Sequence, residues 1–243
     1  MAITLRNGHD LWFFAIPAAI SVVFGAIVWS LRAATPGGIA AGTLICFVLI
    51  EPRPAAATGA PQTSYAGLIA LIVLFLLSFA ATRFGRSRKE ARGLAEGRRG
   101  RQASQIVANL GAAALFAAAG SPVGCIAALA EAAADTNSSE IGQALGGPVR
   151  MITTWQTVPP GTDGGITIRG TMAGILAAIV VAALSTIGHT TWHQRIIICL
   201  AAWLGLFFDS LLGATVERKG WLGNDLVNFL STVAAALIAV ALS

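Results

Sequence analysis

Asp135 and Glu140 stand in AAADTNSSEIGQALGG, residues 132–147, after a run in which Glu131 is the only charge beyond Arg101. A carboxylate near hydrocarbon costs a few kcal/mol on insertion scales, which favours a paired, metal-bound or wetted position. Thr136, Ser138 and Ser139 add hydroxyls, and oxygen ligands of this kind suit a hard cation such as Mg2+. Glu131 and Asp135 are four apart and stack on one face of a continuing helix. Glu140 lies five beyond Asp135, about 140° further round an ideal helix. The two reach one site only if the chain bends or their helix faces a shared groove. A solvated helix end, where carboxylates need no function, is the competing reading.

A second candidate is PPGTDGGITIRG, residues 159–170. Gly161, Gly164 and Gly165 permit tight turns that expose N–H groups to an anion. Thr162 adds a hydroxyl, and Arg169 is placed to clamp a phosphate oxygen. A helix beginning near Ile166 would aim its positive end at the same place. No Gly-Lys-Ser/Thr follows, so this is not a Walker loop, and a glycine-rich segment between helices also serves simply as a turn. Asp209 is the third candidate, a carboxylate inside the apolar run WLGLFFDSLLGA. Asn228, and the pair Gln105 and Asn109 one turn apart, can bind a ligand or hydrogen-bond between helices. His189 and His193 are four apart but lack an evident third ligand.

These residues must be positioned by membrane helices. The 243-residue chain is 56% hydrophobic and 11% charged, with mean hydropathy +0.74, against about 25% charged residues in soluble domains. A soluble globule of this size cannot cover itself with so few charges, which makes the chain a polytopic membrane protein. Abundant Ala and 27 Gly suit closely packed membrane helices. Cys46, Cys125 and Cys199 each sit in apolar runs without metal-ligand spacing, as small packing residues.

Apolar runs fall at about 11–31, 37–50, 66–82, 104–119, 121–134, 166–187, 196–214 and 225–242. The expected fold is all-α, a transmembrane bundle of about seven to eight segments forming one integral membrane domain over 1–243. The runs at 37–50 and 121–134 are short and read as candidates for re-entrant or broken helices. Half of the 16 Lys and Arg lie between Arg83 and Arg101, so 83–103 is expected as the basic cytoplasmic loop. Counting crossings from there makes 135–165 a second cytoplasmic loop and brings Asp135, the glycine-rich segment and the end of the Asp209 run to one face. The basic stretch lacks the aromatic interleaving of a nucleic-acid patch, and no nucleic acid is expected as a partner.

Six blocks then carry a family resemblance: TRFG at 82–85, GRRGRQASQIVAN at 97–109, ADTNSSEIG at 134–142, PGTDGGITIRGTMAG at 160–174, FFDSLLGAT at 207–215 and VNFLST at 227–232. In this order they resemble the integral membrane family known as domain of unknown function 92, which includes the plant phytyl-phosphate kinase of chloroplasts. More remotely, the Asp-Thr…Ser-Glu…Gly block and the Gly-Thr…Gly loop look like CTP-dependent dolichol kinases and phosphatidate cytidylyltransferases.

The resemblance implies a membrane-embedded, Mg2+-dependent kinase moving a phosphoryl group from a nucleotide, CTP favoured, to an isoprenyl monophosphate such as phytyl phosphate. It implies Asp135, Glu140 and Asp209 as metal-binding candidates, with Gly161, Thr162, Gly164, Gly165 and Arg169 cradling phosphate. Thr136, Ser139, Asn109 and Asn228 complete the expected binding set. The expected location is the cell membrane, with the site on the cytoplasmic face. Expected partners are a prenyl-phosphate or other lipid substrate, a nucleotide and, in a homodimer, a second copy of the chain. A multi-pass transporter and a non-enzymatic scaffold are the alternatives, because broken runs with in-membrane carboxylates also build ion-coupling sites.

Overall fold

A computed structural model describes residues 8–50, 53–54, 61–62, 64–95, 100–185 and 191–243, with side chains over 14–50, 64–95, 100–184 and 191–243. His189, Arg98 and Arg99 lie outside the described residues. The expected apolar runs are each a single helix. They are α1 (Gly8–Ser30), α2 (Pro36–Ile50), α3 (Ala66–Arg83), α5 (Ala103–Ala118), α6 (Pro122–Leu145), α7 (Ile168–Ser185), α8 (Trp192–Leu212) and α9 (Asn224–Leu242). A short α4 (Arg86–Ala91) follows α3, and a π-helical turn, Gly213–Glu217, extends α8. The chain is an all-α membrane bundle. Among the described residues, Ala66–Arg83, Trp192–Glu217 and Asn224–Leu242 are long and apolar enough to cross a membrane, and four shorter apolar helices accompany them.

The packing sorts side chains by size. Ala127, Ala128, Ala130, Ala133, Ala134, Ala178, Ala201 and Ala236 are fully buried, whereas Val22, Leu44, Leu76, Leu115 and Leu176 face outward. Lipid is as apolar as leucine, so helices here gain from close backbone approach between small residues, and bulky side chains are best spent on the lipid face.

α6 lies at the centre, packed against α3, α5, α7, α8 and α9. Pro122 opens it where a missing N–H costs nothing, and the Ser121 hydroxyl accepts the Gly124 N–H (3.3 Å). Gly146 ends it at φ +64°, donating its N–H to Gly142 O (3.0 Å). Gly170 and Gly174, one turn apart on α7, lie on Ser138 and Ala134 of α6 so closely that no side chain fits between. A Cβ on Gly174 would stand 2.7 Å from the Ala134 carbonyl oxygen. Gly205 of α8 similarly admits the Glu131 side chain.

Two expectations change here. The run at 121–134 is neither short nor broken: it is the first half of a helix of 24 residues. Residues 135–145 therefore belong to α6, and the connecting segment begins at Gly146. Hydropathy falls at Asp135, but burial does not, since Thr136, Asn137, Glu140, Gly142 and Ala144 remain buried. Their surroundings become polar protein instead of apolar protein. The remainder of the 135–165 segment carries a small antiparallel sheet of β3 (Val149–Met151), β4 (Thr157–Val158) and β5 (Gly165–Ile166), in the order β4-β3-β5. The run at 37–50 forms one uninterrupted, though short, helix of 15 residues.

The C-terminal ends of α1, α3, α6 and α8 and the N-terminal ends of α2, α5, α7 and α9 meet at one end of the bundle. The linker after α1 is tied to the start of α5 by a bridge between Ala34 and Arg101, with Arg101 N–H to Ala33 O and Thr35 N–H to Arg101 O, each 3.0 Å.

The Gly174 contact yields a stability prediction. Gly174→Val should lower the unfolding free energy by about 1–3 kcal/mol, because the overpacked contact is with backbone. Gly37→Ala, whose new methyl would meet only the Ala103 Cβ at 3.6 Å, should be tolerated. Thermal unfolding in detergent, compared between the two variants, checks the difference.

Candidate active site

The polar end of the bundle encloses a cavity of about 450 Å3. Each wall supplies residues at helical spacing. Gln105 and Asn109 come from α5; Asp135, Thr136, Ser138, Ser139, Glu140 and Gly142 from α6; Asp209, Ser210, Gly213 and Glu217 from the end of α8 and its π turn; Asn224 and Asn228 from α9. Pro160–Thr167 forms another side, and Arg92 and Arg101 supply positive charge. Asp209, Gly213 and Glu217 are successive fours, so they share one helical face. Wide π turns of this kind recur at functional sites.

Asp135 and Asp209 are the acidic centre of this cavity. Asp135 lies within electrostatic reach of Asp209 and of the Arg101 guanidinium, and Arg101 also donates to the Thr136 hydroxyl (3.4 Å). One carboxylate oxygen of Asp209, Oδ2, is buried without a hydrogen-bond partner. Glu131 lies deeper, one turn below Asp135, with both carboxylate oxygens buried and lacking a well-formed hydrogen bond. Ser231 of α9 stands beside Glu131 and Asp209, while its hydroxyl donates to Asn228 O (2.9 Å).

Glu140 has a different role. It pairs with Lys89 of α4, a lysine only 1% exposed, and accepts a hydrogen bond from Thr82 of α3 (3.2 Å). Lys89 also donates to the Ala81 and Thr82 carbonyl oxygens, at 3.2 and 2.8 Å. Those carbonyls end α3, so one buried ammonium satisfies its last turn and ties it to α6. Glu140 lines the cavity but is committed to Lys89, so the expected ligand trio of Asp135, Glu140 and Asp209 does not assemble. The physical reason is the phasing along a continuous α6: five residues turn Glu140 toward α3 and α4 while Asp135 faces the Arg101 and Asp209 side. Among the described residues no three His, Cys, Asp or Glu side chains gather to hold a metal ion unaided. Mg2+ is commonly held by one or two carboxylates and completes its shell with water and substrate phosphates. Asp135 and Asp209, with the unpartnered Oδ2, fit that open kind of site.

The glycine-rich segment is built for its position. Gly161 and Gly164 have φ of +83° and +72°, in the left-handed region that favours glycine. A Cβ on Gly164 would collide with the Ala214 backbone, so this glycine lets the loop dock on the π turn. Two expected donors are already engaged: Gly165 N–H binds Thr162 O (2.9 Å), and the Thr162 hydroxyl donates to Pro159 O (2.7 Å). Gly161, Thr162, Gly164 and Gly165 all line the cavity.

Arg169 does not line it. Its guanidinium donates to Leu145 O (3.1 Å), at the end of α6. The arginines that do face the cavity are Arg92, which also donates to Gln143 O (3.1 Å), and Arg101. Both lie in the basic segment that positive-inside bookkeeping explains by topology alone. Every other expected site residue, Asn109, Thr136, Ser139 and Asn228 included, lines this cavity. His193 stands at the opposite end of the bundle, in the first turn of α8.

Comparison with known proteins finds one matching family and several similar membrane proteins. The family described as integral membrane protein DUF92 matches residues 19–236. An uncharacterised membrane protein of Synechocystis sp. is 34% identical over 187 residues, 72% of each chain. Another, from Methanocaldococcus jannaschii, is 35% identical over 182 residues, covering 71% of this chain and 74% of that protein. The chloroplastic protein VTE6 of Arabidopsis thaliana is 30% identical over 192 residues, 72% of this chain but 58% of its own length. No solved structure matches.

The Lys89–Glu140 pair makes its own prediction. Removing one partner strands a buried charge, so Lys89→Met should cost about 3–5 kcal/mol of stability. The double variant Lys89→Met/Glu140→Leu should recover most of that loss. Unfolding midpoints of the wild type, the single variant and the double variant form the required comparison.

Proposed function

The chain belongs to the integral membrane family DUF92, and on that footing we propose that it is a kinase acting on isoprenyl monophosphates at the cytoplasmic membrane surface, with a nucleoside triphosphate, CTP favoured, as donor. One observation carries the reading. A single cavity of about 450 Å3 at the basic end of the bundle gathers an aspartate pair, a glycine-rich segment, arginines and amides from separate helices. Its volume is in the usual range for small-ligand sites, about 300–1,000 Å3.

The chemistry asks little beyond positioning and charge neutralisation. A phosphate oxygen of the acceptor attacks the γ-phosphorus of the nucleotide, forming a new P–O–P bond. The bond from that phosphorus to the β,γ-bridging oxygen breaks, and nucleoside diphosphate leaves with the electron pair. The acceptor is already an oxyanion, so no general base is required. Arg101 and Arg92 offset the negative charge of the two phosphates. Asp135 and Asp209 would hold Mg2+, which would supply charge neutralisation at the phosphates. Asn228, Asn109 and the Ser139 hydroxyl supply polar contacts to the nucleotide, and Gly161 and Gly164 let the loop backbone come close. Glu140 holds the wall in place through Lys89 and does not enter the metal shell.

The site lies where the basic segments converge. Arg32, Arg83, Arg86, Arg92, Arg101, Arg150, Arg169 and Arg218 all belong to this end of the bundle, the distribution expected of a cytoplasmic face.

The test is transfer of labelled γ-phosphate from CTP or ATP to phytyl and shorter prenyl monophosphates by protein in lipid nanodiscs. Asp135→Asn should reduce the rate about 100-fold or more, the scale on which removing one transition-state contact acts, with its thermal unfolding near that of the wild type. A full wild-type rate in Asp135→Asn would overturn the assignment.

A further inference from the structure

A second cavity, about 330 Å3, lies between α1, α2, α3 and α5. Its lining differs sharply from that of the polar cavity. Phe24, Val28, Ile39, Leu71, Leu74 and Phe75 form the walls, and arginines 32, 83 and 86 stand at the end nearest the polar site. Arg101, Asn109 and Thr136 line both cavities, so the two share a wall.

We propose that this apolar cavity receives the hydrocarbon chain of a monophosphorylated isoprenoid and that Arg101 holds its phosphate at the junction with the polar site. The inference rests on the kinase reading for its choice of lipid, but its geometry stands independently. Three observations carry it. The first is charge: cationic groups surround one end of an otherwise oily cavity, the pattern that fits an anionic head on an apolar tail. Arg32 and Arg83 make no ion pair with a described residue, and Arg86 pairs with Glu90 at 3.0 Å. The second is backbone geometry. Arg32 has φ +52°, uncommon for a residue with a side chain, and the chain around it is fixed by the bridge between Ala34 and Arg101. Gly100, at φ +76°, permits that bridge, since a Cβ there would stand 2.8 Å from the Ala33 carbonyl group. Arg101 thus owes its place between the cavities to backbone pairing, not to a flexible loop.

The third observation is the wall itself. Phe24 meets Phe75 edge-on, Phe75 stacks on Phe79, each at 5.6 Å, and the Arg83 guanidinium lies 4.0 Å over the Phe79 ring. This aromatic ladder leads from the apolar depth to the cationic mouth and offers faces to an unsaturated chain. Ser78, between Phe75 and Phe79 in sequence, lines the cavity with its hydroxyl buried and unpartnered. Gly42 lines the opposite wall, and a Cβ there would meet only an Ile106 methyl at 4.0 Å. A larger residue at 42 therefore fits locally and narrows the cavity.

Photolabelling tests this without any nucleotide. The probe is farnesyl monophosphate carrying a diazirine at the far end of its chain, applied to the protein in phosphatidylcholine nanodiscs. Labelled residues should map to α2 and α3. Excess farnesyl monophosphate should suppress the labelling at least tenfold, whereas farnesol and phosphatidate should not. Gly42→Leu should reduce the competable labelling severalfold. The proposal is overturned if competable labels fall on the outward faces of α7–α9, if farnesol or phosphatidate competes equally, or if no label is competable. Because no phosphate is transferred in this assay, a protein that bound the probe here yet transferred no phosphate would refute the kinase reading and leave this site standing.

Discussion

The close approach of α7 to α6 at Gly170 and Gly174 is the contact on which the rest of the structure depends. It brings α7 tightly against Ala134 and Ser138 of α6, a helix buried by protein along most of its length. Enclosure removes α6 from lipid and lets one helix carry Glu131, Asp135 and Glu140 where an exposed membrane helix could not. The same contact places the start of α7, and the glycine-rich segment before it, beside the polar half of α6. Gly164 repeats the device on the π turn, so the loop is held between α6 and the end of α8 by steric fit as much as by hydrogen bonds. Small residues thus do two jobs in this chain: they supply the van der Waals contact that replaces hydrophobic association in lipid, and they set the dimensions of the cavity.

Electrostatics then divides the polar end into two parts. At the α3–α4 edge, Lys89 and Glu140 are paired and fully committed, which gives the wall its rigidity. At the α5–α8 edge, Asp135 lies within electrostatic reach of both Asp209 and Arg101, and Asp209 keeps a buried oxygen unpartnered. A committed ion pair beside an unpartnered carboxylate oxygen is what a binding site requires, since the first resists rearrangement and the second has capacity left for ligand. The position of this cluster, at the helix ends and not along their middles, suits chemistry on a surface-exposed phosphate better than ion passage.

Much of the architecture was legible in the residues. The apolar runs became helices α1, α2, α3, α5, α6, α7, α8 and α9, because runs this apolar have no stable place outside helices in a bilayer. The three polar segments converged as crossing arithmetic required. Legibility failed where tertiary contacts override local pattern. The descent into Asp135-Thr136-Asn137 resembles a helix end by hydropathy, yet the helix continues because its polar residues face protein. Arg92 and Arg101 were hidden among arginines whose placement topology already explains. Arg169 had the right type and neighbourhood for a phosphate clamp, but the first turn of α7 aims it at the end of α6. The Asp135–Glu140 phasing gave the one warning that could be read in advance, and the continuous helix honours it by assigning the two acids to different partners.

The central claim is that Asp135 and Asp209 hold a metal-nucleotide complex in the polar cavity. Equilibrium binding of CTP and ATP to the nanodisc-embedded protein, with and without Mg2+, tests it most directly when repeated on Asp209→Asn. The account predicts saturable, Mg2+-dependent binding that weakens at least tenfold in the variant. Binding of equal strength without Mg2+, or unchanged by Asp209→Asn, would contradict it.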